Sequence, residues 1–129
     1  MLRQLRKRYR LGVVTNGIDR VQRSRLAASG LAPLFDTVVT SQSCGYAKPD
    51  PRILHVALDA MGVPPRHAVY VGDDPATDGA AARAAGVRFV WMDRGQPTRG
   101  RRPTRRVESL RELADLLADG PTASRHGPS

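Results

Sequence analysis

Four short runs of β-branched and apolar residues constrain this chain more than any other feature. They are Leu11 to Thr15 (LGVVT), Thr37 to Thr40 (TVVT), Ala68 to Gly72 (AVYVG) and Arg88 to Met92 (RFVWM). Each run is continuous. A strand with one wet face alternates apolar and polar residues, whereas a strand covered on both faces of a parallel sheet does not. The runs therefore predict strands of a parallel sheet sandwiched between helices.

The intervening segments supply those helices. Asp50-Pro51 opens one and Gly62 closes it, with Ile53, Leu54, Ala57, Leu58 and Met61 along its apolar side. Asp74-Pro75 opens another and Gly86 closes it, with alanines between them for close packing. In both, an Asp N-cap precedes Pro at the first helical position and Gly follows the end. Leu2 to Tyr9 and Asp19 to Ser29 read as weaker helices, the second stopped by Gly30. Glu108 to Leu117 puts Leu110, Leu113, Leu116 and Leu117 on one face. Strand and helix alternate throughout, which implies a three-layer, Rossmann-like α/β/α fold around a parallel sheet. On this reading residues 1–93 form the core and 94–107 an Arg/Pro/Gly-rich mobile loop. Residues 108–119 hold the last helix and 120–129 a disordered tail.

Composition narrows the functional classes. The 129 residues carry 21 Lys+Arg against 12 Asp+Glu, a net charge of +9, gathered mainly in Arg3 to Arg10 and Arg94 to Arg106. Aromatic residues make up only 5%, too few for the base-stacking surface of an RNA-binding sheet, so nucleic acid is a disfavoured partner. No run approaches the ~20 apolar residues of a membrane span, and Met1 to Arg10 lacks the apolar core of a secretion signal. Cys44 is the single cysteine and can form no intrachain disulfide. A cytoplasmic location is expected.

Ligands of such sheets bind beyond the carboxyl ends of the strands, and three ends carry suitable residues. Thr15-Asn16-Gly17 offers a hydroxyl and backbone N–H groups freed by a glycine turn, a cradle for an anion or simply a strand-to-helix turn. Lys48, one of two lysines, lies between Ala47 and Pro49-Asp50-Pro51. A compact ammonium there could neutralise a phosphoryl group or merely be solvated. Asp73 ends the third strand and Asp78 falls in the first turn of the next helix. Such a carboxylate pair suits Mg²⁺ or only complements the helix dipole. Asp74 is better placed as the N-cap. His55, His67 and His126 read as structural or solvated.

LGVVTNG, AKPDPRIL and YVGDDPATDGAAARAAG together resemble the second, third and fourth motifs of the haloacid dehalogenase superfamily, in order and at its usual spacings. The similarity runs from about Leu2 to Arg94. It implies that Thr15, Asn16 and Gly17 hold a transferring phosphoryl group and that Lys48 neutralises it. It also implies that Asp73 and Asp78 hold Mg²⁺ and that the substrate is a small phosphorylated metabolite. Phosphatase is the commonest chemistry on this core, with dehalogenase and phosphonatase as variants. The reaction transfers the phosphoryl group to an aspartate and then hydrolyses the aspartyl-phosphate.

The family's first motif, an Asp-x-Asp that supplies the nucleophile, has no counterpart, and no D-x-D occurs in the chain. In the family its strand lies in mid-sheet, between the equivalents of Leu11–Thr15 and Ala68–Gly72, and the cap domain follows it. The expectation is a truncated hydrolase, inactive alone. The alternatives are one part of a split enzyme, or a non-catalytic remnant that binds phosphate ligands or nucleic acid. A sheet lacking its middle strand must close the gap or leave two edges open, so marginal stability or self-association through those edges is expected.

Overall fold

The computed structural model describes residues 1–98 and 102–119. In chain order the elements are α1 (Leu2–Arg6), β1 (Gly12–Thr15), α2 (Asp19–Ser29), β2 (Thr37–Thr40), α3 (Ser41–Cys44) and α4 (Arg52–Met61). They continue with β3 (Val69–Gly72), a π-helical turn (Pro75–Gly79), α5 (Ala80–Ala85), β4 (Arg88–Met92), β5 (Arg106–Val107) and α6 (Leu110–Asp119). All strand pairings are parallel, as the continuous apolar runs require. The expected tail, 120–129, and His126 within it lie outside the described residues.

The strands form two sheets, β1-β2 and β3-β4-β5. β1 and β3 do not pair, so the gap foreseen between them stays open and the sheet is incomplete. Register explains how the two halves still share a core. Val69 and Tyr70 project to opposite faces, as successive strand residues must. Tyr70 joins Val39, Ala68, the α4 residues Ile53, Leu54, Ala57, Leu58 and Met61, and the α5 alanines on one side. Val69 joins Leu5, Tyr9, Leu11, Val90, Met92, Val107, Leu113 and Leu117 on the other. Two apolar layers, one under α4 and α5 and one under α1 and α6, thus sandwich the strands. Between β1 and β3 an apolar slot is lined by Gly12, Val14, Leu58, Met61, Val69 and Tyr70, among others.

Helix starts differ from the sequence reading in instructive ways. α4 begins at Arg52 with Pro51 as its N-cap. Asp50 accepts the Arg52 N–H at 3.0 Å and also grips the Arg52 guanidinium, so its cap-like role falls one residue outside the helix. Asp74 is the N-cap expected of it and accepts from the Ala76 N–H, but the turn that follows is π-helical. α6 begins at Leu110 because the Ser109 hydroxyl accepts the Glu112 N–H, while the Glu112 carboxylate accepts the Glu108 N–H. Within 94–107, read above as loop throughout, Arg106–Val107 forms β5 against Trp91–Met92. The Asp93 N–H reaches the Val107 carbonyl at 2.8 Å, and Asp93 pairs with Arg106. A two-residue strand is too short to leave a periodic signal.

Backbone exposure at the gap has a measurable consequence. Amides of β1 and β3 that point into it should exchange hydrogen at loop-like rates, while those of β4, paired on both sides, stay protected. Native-state exchange followed by NMR tests this. Uniform protection across β1, β3 and β4 in a monomer would show that the gap is closed in solution.

Candidate active site at the strand tips

The carboxyl ends of β1 and β3 face one another across the gap, and polar side chains bridge them. Lys48, carried by the loop after α3 and followed by a cis peptide bond to Pro49, reaches to 2.8 Å from Asp78 and 2.9 Å from the Tyr70 hydroxyl. Its ammonium also lies 3.5 Å from the Val14 carbonyl of β1. The Tyr70 hydroxyl donates weakly towards both that carbonyl and Asp78, at 3.4 Å each. The Lys48 and Asp78 side chains are 13% and 7% exposed, so this is a buried pair and not a surface ion pair.

Local sequence explains how Asp78 arrives there. The wide π-helical turn carries it back over β3, and a Cβ on Gly72 would overlap its carboxylate. Gly72 is thus required by close approach and not by a special φ. The second Asp78 oxygen accepts the Asp74 N–H at 3.2 Å. Burial pulls the Lys48 pKa down, but Tyr70 and Asp78 outweigh it, so the ammonium titrates above its ordinary 10.5. Burial pushes the Tyr70 phenol up to about 12, against the pull of Lys48. Both groups stay protonated throughout the neutral range.

Lys48, Tyr70, Asp73 and Asp78 line one cleft of about 290 Å³, together with Arg94. Asp73 is exposed at the tip of β3, and its carbonyl accepts from the Gln96 amide. The donor set suits a hard cation such as Mg²⁺, which takes one or two carboxylates and completes its shell with water and phosphate. Asp73 engages no other side chain among the described residues, and one Asp78 oxygen holds only a backbone N–H. No cluster of three or more His, Cys, Asp or Glu side chains forms among the described residues, so most of such a shell would have to come from water or substrate.

The expected phosphate cradle is only partly assembled. The Asn16 side chain clamps the Lys48 backbone, accepting its N–H at 2.8 Å and donating to its carbonyl at 3.2 Å. The Gly17 N–H is taken by the Ser41 hydroxyl at 2.8 Å. Thr15 shares the Val13 face of β1 and lines a groove against α2, where Gln22 donates to its hydroxyl at 3.3 Å. Asn16 therefore positions Lys48 here, and Thr15 stands apart from the cleft. Tyr70, Gln22, Ser41 and Gln96 escaped the sequence reading. Tyr70 alone left a usable signal, because a phenol inside an otherwise apolar strand must find a polar partner when buried. His55 links α4 to the Ala85 carbonyl of α5, and Cys44 packs against Tyr46.

A family model described as haloacid dehalogenase-like hydrolase matches residues 1–92. The phosphoserine phosphatase of Thermus thermophilus is 45% identical over 87% of this chain and 47% of its own length. The pyrimidine 5'-nucleotidase YjjG of Escherichia coli is 38% identical over 91% of this chain and 53% of its own. A HAD phosphatase from Thermococcus onnurineus superposes with a TM-score of 0.83 at 34% identity, covering 90% of this chain and 54% of that one. A Bacillus subtilis HAD-hydrolase bound to magnesium gives 0.80 at 27% identity, covering 90% and 52%. The chain thus spans about half the length of these relatives. No helix among the described residues is long and apolar enough to cross a membrane.

Two outcomes follow from the buried pair. Lys48→Met leaves the buried Asp78 carboxylate without its counter-charge and should lower stability by about 3 kcal/mol, with Lys48→Met/Asp78→Asn recovering part of the loss in denaturant titrations. For Tyr70 and Lys48 the folded pKa exceeds the unfolded one, so the folded state binds more protons at high pH. The Tyr70 contribution is complete below about pH 10 and is lost as pH rises towards 12, and that of Lys48 is complete below its ordinary 10.5 and lost above it. Tyr70→Phe should flatten this alkaline decline when unfolding is measured from pH 9 to 12.

Proposed function

The chain belongs to the haloacid dehalogenase-like hydrolase family, and on that premise we propose that it carries the phosphate-neutralising and metal-holding side of a phosphatase site. The substrate class is a small phosphorylated metabolite, in keeping with the phosphatase and nucleotidase relatives. The observation that carries the reading is the Lys48 ammonium, held between Asp78 and Tyr70 in a cleft that opens at the unpaired ends of β1 and β3.

Each residue then has a definite task. Lys48 stays cationic and presents a compact charge to the non-transferring phosphoryl oxygens, moving from Asp78 towards the incoming anion. Asn16 fixes the Lys48 backbone, and Tyr70 fixes its ammonium. Asp73 and Asp78 would hold Mg²⁺, which supplies charge neutralisation at the phosphoryl group when bound. Thr15 joins the phosphate contacts once its hydroxyl leaves Gln22.

The nucleophilic carboxylate comes from outside these elements, on an extended apolar segment occupying the slot between β1 and β3. That segment's carboxylate oxygen attacks phosphorus, the ester oxygen leaves with a proton, and water then cleaves the acyl phosphate. Two facing unpaired edges over an apolar floor favour such an occupant. Removing one member of a catalytic unit costs most of the rate, so the 129 residues alone are inactive.

The purified chain with Mg²⁺ and p-nitrophenyl phosphate should show no turnover above background. An apolar peptide ending in Asp-x-Asp, added in trans or fused ahead of Met1, should raise it by at least 100-fold and make it sensitive to Asp73→Asn. Robust activity of the chain alone that Asp73→Asn abolishes would overturn the absence of a nucleophile. Failure of every Asp-bearing strand to confer activity would overturn the catalytic reading.

A further inference from the structure

A second charged cleft lies on the far side of the π-helical turn. It encloses about 340 Å³ and is lined by Arg83 of α5, by Arg102 and Arg105 ahead of β5, and by Pro75, Gly79 and Phe89. We propose that this groove binds a phosphate-bearing small molecule of nucleotide type, at a site separate from the strand tips.

Four arginines elsewhere on the fold are matched with carboxylates, in Arg6–Asp36, Arg23–Asp19, Arg52–Asp50 and Arg106–Asp93. Among the described residues no ion pair engages Arg83, Arg102 or Arg105, and no carboxylate lines the groove. Asp93 feels Arg102 at a distance but is bonded to Arg106. Three guanidinium groups around a cavity whose lining holds no carboxylate are relieved by a multiply charged anion. Guanidinium groups bind phosphate through paired, geometrically matched N–H donors.

The rest of the lining selects within that class. Pro75, Val87 and Phe89 make an apolar wall beside the arginines. At Gly79 an added Cβ would come 3.3 Å from the Phe89 ring, so the bare backbone lets the ring settle into the wall. An aromatic ring lining a cavity together with guanidinium groups is the composition on which nucleobases stack. Arg102 itself rests over the Trp91 ring at 5.7 Å, which ties its position to an aromatic reporter.

Trp91 is the sole tryptophan, so the full chain can be titrated with ADP and with pyrophosphate at low salt while its fluorescence is followed. A saturable change with both, tighter for ADP, is expected. Arg83→Gln/Arg105→Gln should weaken it at least 10-fold with an unchanged far-UV spectrum, while Arg94→Gln, which removes an exposed cation of the strand-tip cleft, should leave it intact. If the double variant unfolds, Arg105→Gln alone should still weaken binding at least threefold. No response, or one lost in Arg94→Gln but kept in the groove variants, would overturn the assignment. Pyrophosphate binding as tightly as ADP would overturn its nucleoside part.

Discussion

The contact that holds the two halves of this molecule in register at the strand tips is the buried triad of Lys48, Asp78 and Tyr70. β1 and β3 share no backbone hydrogen bond, so nothing in the sheet fixes their relative position there. The Lys48 ammonium and the Tyr70 hydroxyl both turn towards the Val14 carbonyl of β1, while Asp78 anchors them to the turn above β3. Hydrophobic burial under α4 supplies most of the cohesion, but it is non-directional. The triad adds direction. It exists only because Gly72 lacks a side chain and because Asn16 holds the Lys48 backbone from the opposite strand.

The same three residues explain why the site looks half-assembled. A buried lysine needs a counter-charge, and Asp78 provides it at the expense of freedom to bind a metal. A buried aspartate needs the lysine in return. Ligand binding at this cleft is therefore an exchange of partners and not the filling of an empty cradle. Thr15, Asn16 and Gly17 tell a similar story: the Thr15 hydroxyl donates to the Asn16 carbonyl while accepting from Gln22, the Asn16 amide donates to the Lys48 carbonyl, and the Gly17 N–H donates to Ser41. Polar groups at the tips of unpaired strands find the partners within reach.

Most of the fold was legible in the sequence because its signals were local. Thr37–Thr40 and Arg88–Met92 were delimited to the residue by β-branched runs, and Gly30, Gly62 and Gly86 end their helices in left-handed conformation, as their position suggested. The resemblance indicated a strand between β1 and β3, which left either a closed gap or two open edges, and the structure takes the second. What escaped was non-local or short. β5 is two residues long, and its existence depends on β4 offering a free edge. The π-helical turn differs from an α-turn by one residue's advance, which no periodicity reveals at that length. Of the site residues, Lys48, Asp73 and Asp78 do meet in one cleft. The face on which Thr15 lies follows from the pleat of β1, and strand phase at a four-residue run cannot be read without knowing which helix covers which side.

The π-helical turn has a mechanical consequence. Pro75 and Gly79 form part of the wall of the arginine groove, while Asp78 between them forms part of the wall of the strand-tip cleft. A single five-residue segment is thus a partition with a different chemistry on each face. Whatever shifts the partition from one side reshapes the other, and the effect is thermodynamically mutual: the free energy by which an occupant of one chamber alters affinity in its neighbour equals that of the reverse. Two cavities divided by so thin a septum cannot be energetically independent unless the septum is rigid, and among the described residues its side-chain hydrogen bond to β3 is the one between Asp78 and Tyr70, with Lys48 on the same carboxylate.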